Sequence, residues 1–167
     1  GEENEGWAIT RATMNFERSN VGMISGMKRD LEELVEFCKG TKRNGQTLAQ
    51  NPFVRYRIAQ LAIEIDVGRA LSYRIAWLQE KGGLLMSAHA ASAAKVYGSE
   101  LAQRFAYTGY QIMGLYGQVK KISKWAPLQG RFESTSQLCM GMNIAAGSSE
   151  IQRNLIAWVG LGLPRTI

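Results

Sequence analysis

Apolar residues recur along most of the chain at spacings of three and four, the period of one helix face, and no stretch shows the strict alternation of a half-buried strand. The clearest stripe runs Val54, Ile58, Leu61, Ile65, Gly68, Ser72 and Ile75. It is an inward face whose small members let a neighbouring backbone come close. The stripe predicts a helix opening at Asn51-Pro52, an N-cap followed by proline at the first helical position, and stopping at Gly82-Gly83. Before it, Phe16, Val21, Ile24, Leu31, Leu34 and Cys38 predict a helix from about Trp7 to Cys38, with Gly40 as its stop and Lys39 at the negative end of its dipole. The stretch from Gly40 to Asn51 reads as a loop with a turn at Asn44-Gly45. A third helix is predicted from about Leu84 to Tyr116, alanine-rich at its start and continuing through Val96, Leu101, Phe105 and Ile112. A glycine-punctuated loop, Gly114 to Gly130, leads to Phe132 to about Ile144 and then Ser149 to about Val159, with Ala145-Ala146-Gly147-Ser148 between them. The expectation is an all-α, up-down-up-down four-helix bundle with an additional short C-terminal helix, in a single domain over residues 1–167.

Composition adds limits. At 167 residues, 46% hydrophobic and 20% charged, the chain is long enough for a real core and too apolar for a disordered segment. Helices of about 30 residues would be about 45 Å long, more than a compact monomer of this size requires, which predicts packing against further domains or subunits. Cys38 and Cys139 match no metal-ligand spacing; they fit a reducing compartment, with a disulfide between them left open. With His89 the single histidine, no metal site is expected. No apolar run approaches the roughly 18–20 residues of a membrane span, and the acidic opening Gly1 to Gly6 lacks the features of a signal peptide. Net charge is +6 and the isoelectric point about 9.5, which favours anionic partners. The positive residues are spread out, at Lys28-Arg29, Lys42-Arg43, Arg55, Arg57 and Lys120-Lys121-Lys124, so no nucleic-acid partner is expected.

The C-terminus narrows the reading. Residues Gly147 to Arg153 (Gly-Ser-Ser-Glu-Ile-Gln-Arg), then Asn154-Leu155-Ile156-Ala157 and Gly160-Leu161-Gly162-Leu163-Pro164-Arg165, resemble the terminal signature of flavin-dependent acyl-CoA dehydrogenases. Gly6-Trp7 with Phe16-Glu17-Arg18, the Ala91-Ser92-Ala93-Ala94-Lys95 run and Gln111-Ile112-Met113-Gly114 agree in the same order. The resemblance covers essentially the whole chain and implies the C-terminal helical domain of a longer protein whose N-terminal helical and middle β domains precede it. It implies FAD as cofactor, an acyl-CoA substrate, a homo- or hetero-oligomer (dimer or tetramer), an electron-transferring flavoprotein as electron acceptor, and a cytoplasmic location, or the mitochondrial matrix in a eukaryote.

It also assigns residues. Many members carry their catalytic glutamate just before the Gly-Ser-Ser turn; that position here is Ala146, which cannot take a proton. Others carry it on the first helix of this domain, where Glu17 stands. Glu17 is thus the candidate general base, against the ordinary alternative of a solvated helix glutamate. Ala146 is a candidate through its backbone N–H, which could donate to the thioester carbonyl, or is plain linker. Asn15, Arg18 and Gly147 match substrate-side positions, with Asn15 in place of a frequent aspartate. Arg43, Gln111, Gly114, Ser148 and Glu150 match cofactor-side positions, Ser148 serving equally well as a helix N-cap. Three departures stand out: Leu115 replaces a second glycine, Thr41 holds the nominal place of a pyrophosphate-binding arginine, with Arg43 substituting by a shifted register, and Pro52 stands where many relatives have glutamine. Two alternatives accompany this reading: a non-catalytic subunit or domain that completes a partner's flavin site in a heteromeric dehydrogenase, and a flavin monooxygenase or nitroalkane oxidase relative sharing the architecture.

Overall fold

The structure, a computed structural model, describes residues 1–17, 20–82 and 88–165, the side chains of residues 11, 12, 15–17 and 82 excepted. Its elements are α1 (Gly6–Glu17), α2 (Val21–Gly40), strands β1 (Lys42–Arg43) and β2 (Gln46–Thr47), α3 (Pro52–Gly82), α4 (Ala88–Met113), α5 (Arg131–Met142) and α6 (Ser149–Leu155). Short 3-10 turns occupy Leu48–Gln50, Gly114–Gln118 and Pro127–Gly130, and a widened π turn follows α6. The all-α expectation holds, and among the described residues the strands are confined to one hairpin.

The first helix requires correction. The stripe from Phe16 to Cys38 predicts one element, and two are present. Asn20 takes the left-handed conformation (φ 56°, ψ 13°), one that asparagine adopts more readily than most residues. Its Nδ2 donates to Ala94 O at 3.3 Å, while its carbonyl accepts from the Ile24 N–H and opens α2. The start of α3 is as expected: Asn51 Oδ1 accepts from Phe53 N at 2.9 Å, and Pro52 follows. Helix α4 stops at Met113 rather than Tyr116, because Gly114 (φ 66°) turns the chain out of the helix. The predicted start at Leu84 lies outside the described residues. The last helix is shorter than expected, giving way to the π turn at Ile156.

Cross-contacts fix the directions. Asn20 meets Ala94 and Arg43 meets Ile112, so α2 and α4 run parallel. Tyr97 donates to Glu64 O at 3.0 Å and, about two turns earlier on α3, Arg57 lines a cleft with Thr108, which sets α3 antiparallel to α4 and so to α2. Phe132 stacks on Phe105 (ring centroids 5.2 Å apart) and covers Gly109, where a Cβ would lie 2.0 Å from the Phe132 ring. At the other end of α5, Asn143 O accepts from Lys95 Nζ, so α5 runs back along α4. Successive long helices therefore alternate in direction. Leu34, Cys38, Leu61, Ile65, Leu101, Phe105, Ile112, Phe132 and Cys139 form the centre of the core. Arg131 clips α5 to α2 through Asp30 (2.7 Å) and Glu33 (2.6 Å), and burial pushes the Asp30 carboxyl up against the pull of that guanidinium. Both cysteines are free and buried; burial pushes the Cys38 thiol up to about 11. Among the described residues no helix is long and apolar enough to cross a membrane.

Candidate functional site

Two loop corners at opposite ends of α4, about 26 Å apart along its axis, gather most of the candidate residues. The first begins with the hairpin. Asn44 (φ 53°) and Gly45 (φ 83°) both take positive φ, as a tight two-residue turn requires, and this places Arg43 opposite Gln46. Arg43 Nη2 donates at 3.3 Å to Ile112 O, near the end of α4, where carbonyls lack intrahelical partners and the dipole favours a cation. Gly114 supplies the positive φ that the turn needs, and Arg43 Nη2 lies 3.4 Å from where a Cβ would stand, an ordinary contact. Arg43, Gln111, Thr47, Asn51 and Phe53 line a polar cleft of about 220 Å³. Thr41 is engaged through its backbone instead, donating to Phe37 O and accepting from Leu48 N, so the guanidinium at this corner is that of Arg43. Leu115 stands exposed beside it.

The second corner joins α5 to α6 and is built largely of main chain. Ile144 and Ala145 N–H both donate to Gly141 O, and the chain then turns through Ala146 (φ 56°) and Gly147 (φ 92°). Gln152 is fully buried beneath this bend, its Nε2 donating to Ala146 O (2.9 Å) and Gly147 O (3.4 Å). Because that carbonyl points to Gln152, the Gly147 N–H of the same trans peptide is directed the opposite way. Ser148 caps α6, its Oγ accepting from Ile151 N. The Ser148 hydroxyl, the backbone of the helix start and then Arg153 and Lys95 hold the exposed Glu150 carboxyl below the usual carboxylate range. Asn20, Met23, Lys95, Ser99 and Ala146 line a cleft of about 170 Å³. Lys95 is only 5% exposed, yet it carries a charge into this wall and donates to Asn143 O at 3.4 Å.

The structure thus brings Arg43, Gln111 and Gly114 together at one corner and Ala146, Gly147, Ser148 and Glu150 at the other. Asn15 and Glu17 fall in the last turn of α1, with side chains outside the described residues, and Arg18 lies outside them altogether. His89 packs against Gly160, and among the described residues no cluster of potential metal ligands occurs. Sequence reasoning missed Gln152, Lys95 and Asn20 as parts of the second corner. Gln152 and Lys95 stood inside quoted motifs, and a buried amide or ammonium is informative only once its burial is known.

A family model described as acyl-CoA dehydrogenase, C-terminal domain, matches residues 4–161. The chain is 31% identical over 167 residues to the acyl-CoA dehydrogenase FadE26 of Mycobacterium tuberculosis, covering 99% of this chain and 42% of that protein. Among solved structures it is similar to the ChsE4-ChsE5 complex from Mycobacterium tuberculosis, with 31% identity, a TM-score of 0.84 and coverage of 99% of this chain and 43% of that one. It is also similar to the steroid ACAD Tcur3481-Tcur3483, with 28% identity, a TM-score of 0.86 and coverage of 99% and 42%. The chain spans less than half the length of these relatives. With nearly its whole length matched, and with the same helical fold, this chain belongs to the acyl-CoA dehydrogenase C-terminal domain family.

Proposed function

We propose that the protein to which this chain belongs is an FAD-dependent acyl-CoA dehydrogenase that removes an α proton and a β hydride from an acyl-CoA thioester, with Glu17 as the general base. The observation that carries this reading is the second cleft. Ala146 offers only a methyl group beside it, and Asn20, the residue at the start of α2, lines the same cleft. Glu17 precedes Asn20 by three residues in the chain, which supports a carboxylate supplied to this cleft from the end of α1.

The residues fit the cofactor that the family implies. Arg43 uses one N–H on Ile112 O and retains further donors for an anionic group, in a polar cleft that Gln111 also lines. FAD would supply the hydride acceptor, with the two corners, about 26 Å apart on one chain, contributed to one flavin site by two copies across a subunit boundary. The chain's own residues do the rest. Glu17 takes the α proton onto its carboxylate, and a main-chain N–H of the Ala146-Gly147 bend donates to the thioester carbonyl as negative charge builds on its oxygen. Gln152 holds the bend by its carbonyls, and Ser148 and Glu150 present polar groups to the cofactor's adenosine half. A steroid-acyl thioester is a first substrate to assay, given the description of one similar structure as a steroid ACAD. An electron-transferring flavoprotein is the matching acceptor.

In the full-length protein, Glu17→Gln should keep the flavin absorbance and lose substrate-dependent bleaching, with turnover down about 100-fold or more. Unchanged turnover removes Glu17 from the mechanism. A second reading draws on the similarity to the ChsE4-ChsE5 complex and on the exposed Leu115: the chain completes a flavin site in a heteromer. Flavin that is absent from the subunit purified alone and retained only with a related partner would favour it.

A further inference from the structure

Lysine is among the residues least often buried, yet Lys95 stands buried in the wall of the second cleft. Ser92, Lys95 and Ser99 follow one another at three and four, a buried polar stripe on α4. Its charged member reaches Asn143 O at 3.4 Å, three residues before Ala146, and shares the cleft with Asn20 and Ala146. A charge fixed in the wall of a small cleft is screened far less than one in bulk water. It therefore acts strongly on an anion that the cleft receives.

The elements packed around Lys95 bring few other charges. Helix α3 meets this half of α4 through Leu71 and Ile75, and Asn20, Met23 and Met142 line the cleft from α2 and α5, all of them uncharged. His89, six residues back on α4, packs on Gly160 of the π turn. From α6, Arg153 is taken up by Glu100 at 2.5 Å. The exposed Glu150 carboxyl feels Lys95 as well: after the Ser148 hydroxyl, the helix start and Arg153, the ammonium also draws it down. Among the described residues that line the cleft, Lys95 alone carries a charge.

We propose that Lys95 is a positioning residue of the dehydrogenation: its ammonium, fixed in the cleft wall, keeps the carboxylate of the base ionised to accept the α proton. This rests on the reading of that cleft as the thioester's seat, with Glu17 as base. A neighbouring cation lowers a carboxylate's pKa, so removing the cation raises it. The acid limb of kcat/KM, which reports the base in the free enzyme, then moves to higher pH. In the full-length flavoprotein, Lys95→Gln removes the charge and keeps a donor for Asn143 O. Its acid limb should lie about one pH unit above the parent's, a roughly tenfold loss of activity well below that limb. Lys95→Arg keeps the charge and should hold the limb at the parent's position even where kcat falls. Lys95→Met is a second neutral variant, with folding checked by flavin content and circular dichroism. A purely structural lysine would lower kcat in these variants and leave the limb in place. An unmoved limb in a folded neutral variant, or an equal displacement in Lys95→Arg, overturns the proposal. Glu17→Gln, assayed alongside, distinguishes the two levels. Its inactivity with an unmoved Lys95→Gln limb removes Lys95 alone, whereas its retained turnover removes the base and the role of Lys95 with it.

Discussion

The two ends of α4 solve the same problem, holding a loop in place, with opposite materials. At the hairpin end a side chain does it: Arg43 crosses to Ile112 O, and the loop chemistry is that of a guanidinium and the amide of Gln111. At the α5–α6 end the main chain does it, through two consecutive residues of positive φ, a serine cap and the buried amide of Gln152 beneath. The difference teaches where each corner is vulnerable. The first loses its character when one side chain is replaced. The second fails when its backbone is re-aimed.

The largest effect that separates the two is expected at Gly147. A Cβ there would stand 2.5 Å from Gln152 Nε2 at a φ of 92°, so Gly147→Ala adds both strain and crowding. It should destabilise the fold by about 1–3 kcal/mol, measured by denaturant unfolding of the full-length protein. A variant as stable as the parent would show that the bend is not held as described. At the other corner, Arg43→Met should leave unfolding nearly unchanged and weaken flavin retention about tenfold, a loss near 1.4 kcal/mol, read by equilibrium dialysis. Arg43→Lys should recover only part of that loss, because an ammonium lacks the planar fork. The smallest effect is that of the cap: Ser148→Ala should cost about 1 kcal/mol, and Ser148→Gly only a few tenths, in the same unfolding assay. Equal costs for the two would remove Oγ from the account of how α6 begins.

Features that depend on neighbours in sequence were legible from it. The Asn51-Pro52 start, the Asn44-Gly45 turn and the Ser148 cap are local chemistry, and the structure has all three. The heptad-like core stripe of α3 was legible for the same reason. The break at Asn20 was not, because apolar spacing runs through it and the stabilising partner, Ala94 O, is 74 residues away. The pairing of Arg43 with the end of α4 spans 69 residues and carries no local signal either. The stop at Gly114 was masked by Leu115 and Tyr116, whose apolar character extends the pattern into a turn where both are exposed. Of the site, the string Gly147 to Arg153 could be read as a motif, but the job of Gln152 follows only from its complete burial against two carbonyls.

The bend at Ala146 has a consequence for how such a protein can change over generations. A donor made from the peptide backbone is never lost by exchanging one amino acid for another; it can only be tilted. An acid, by contrast, can migrate to another helix and leave a methyl group behind. On the function proposed above, a scaffold whose polarising element is written in its trace and whose proton acceptor is written in a side chain is free to relocate the second while keeping the first.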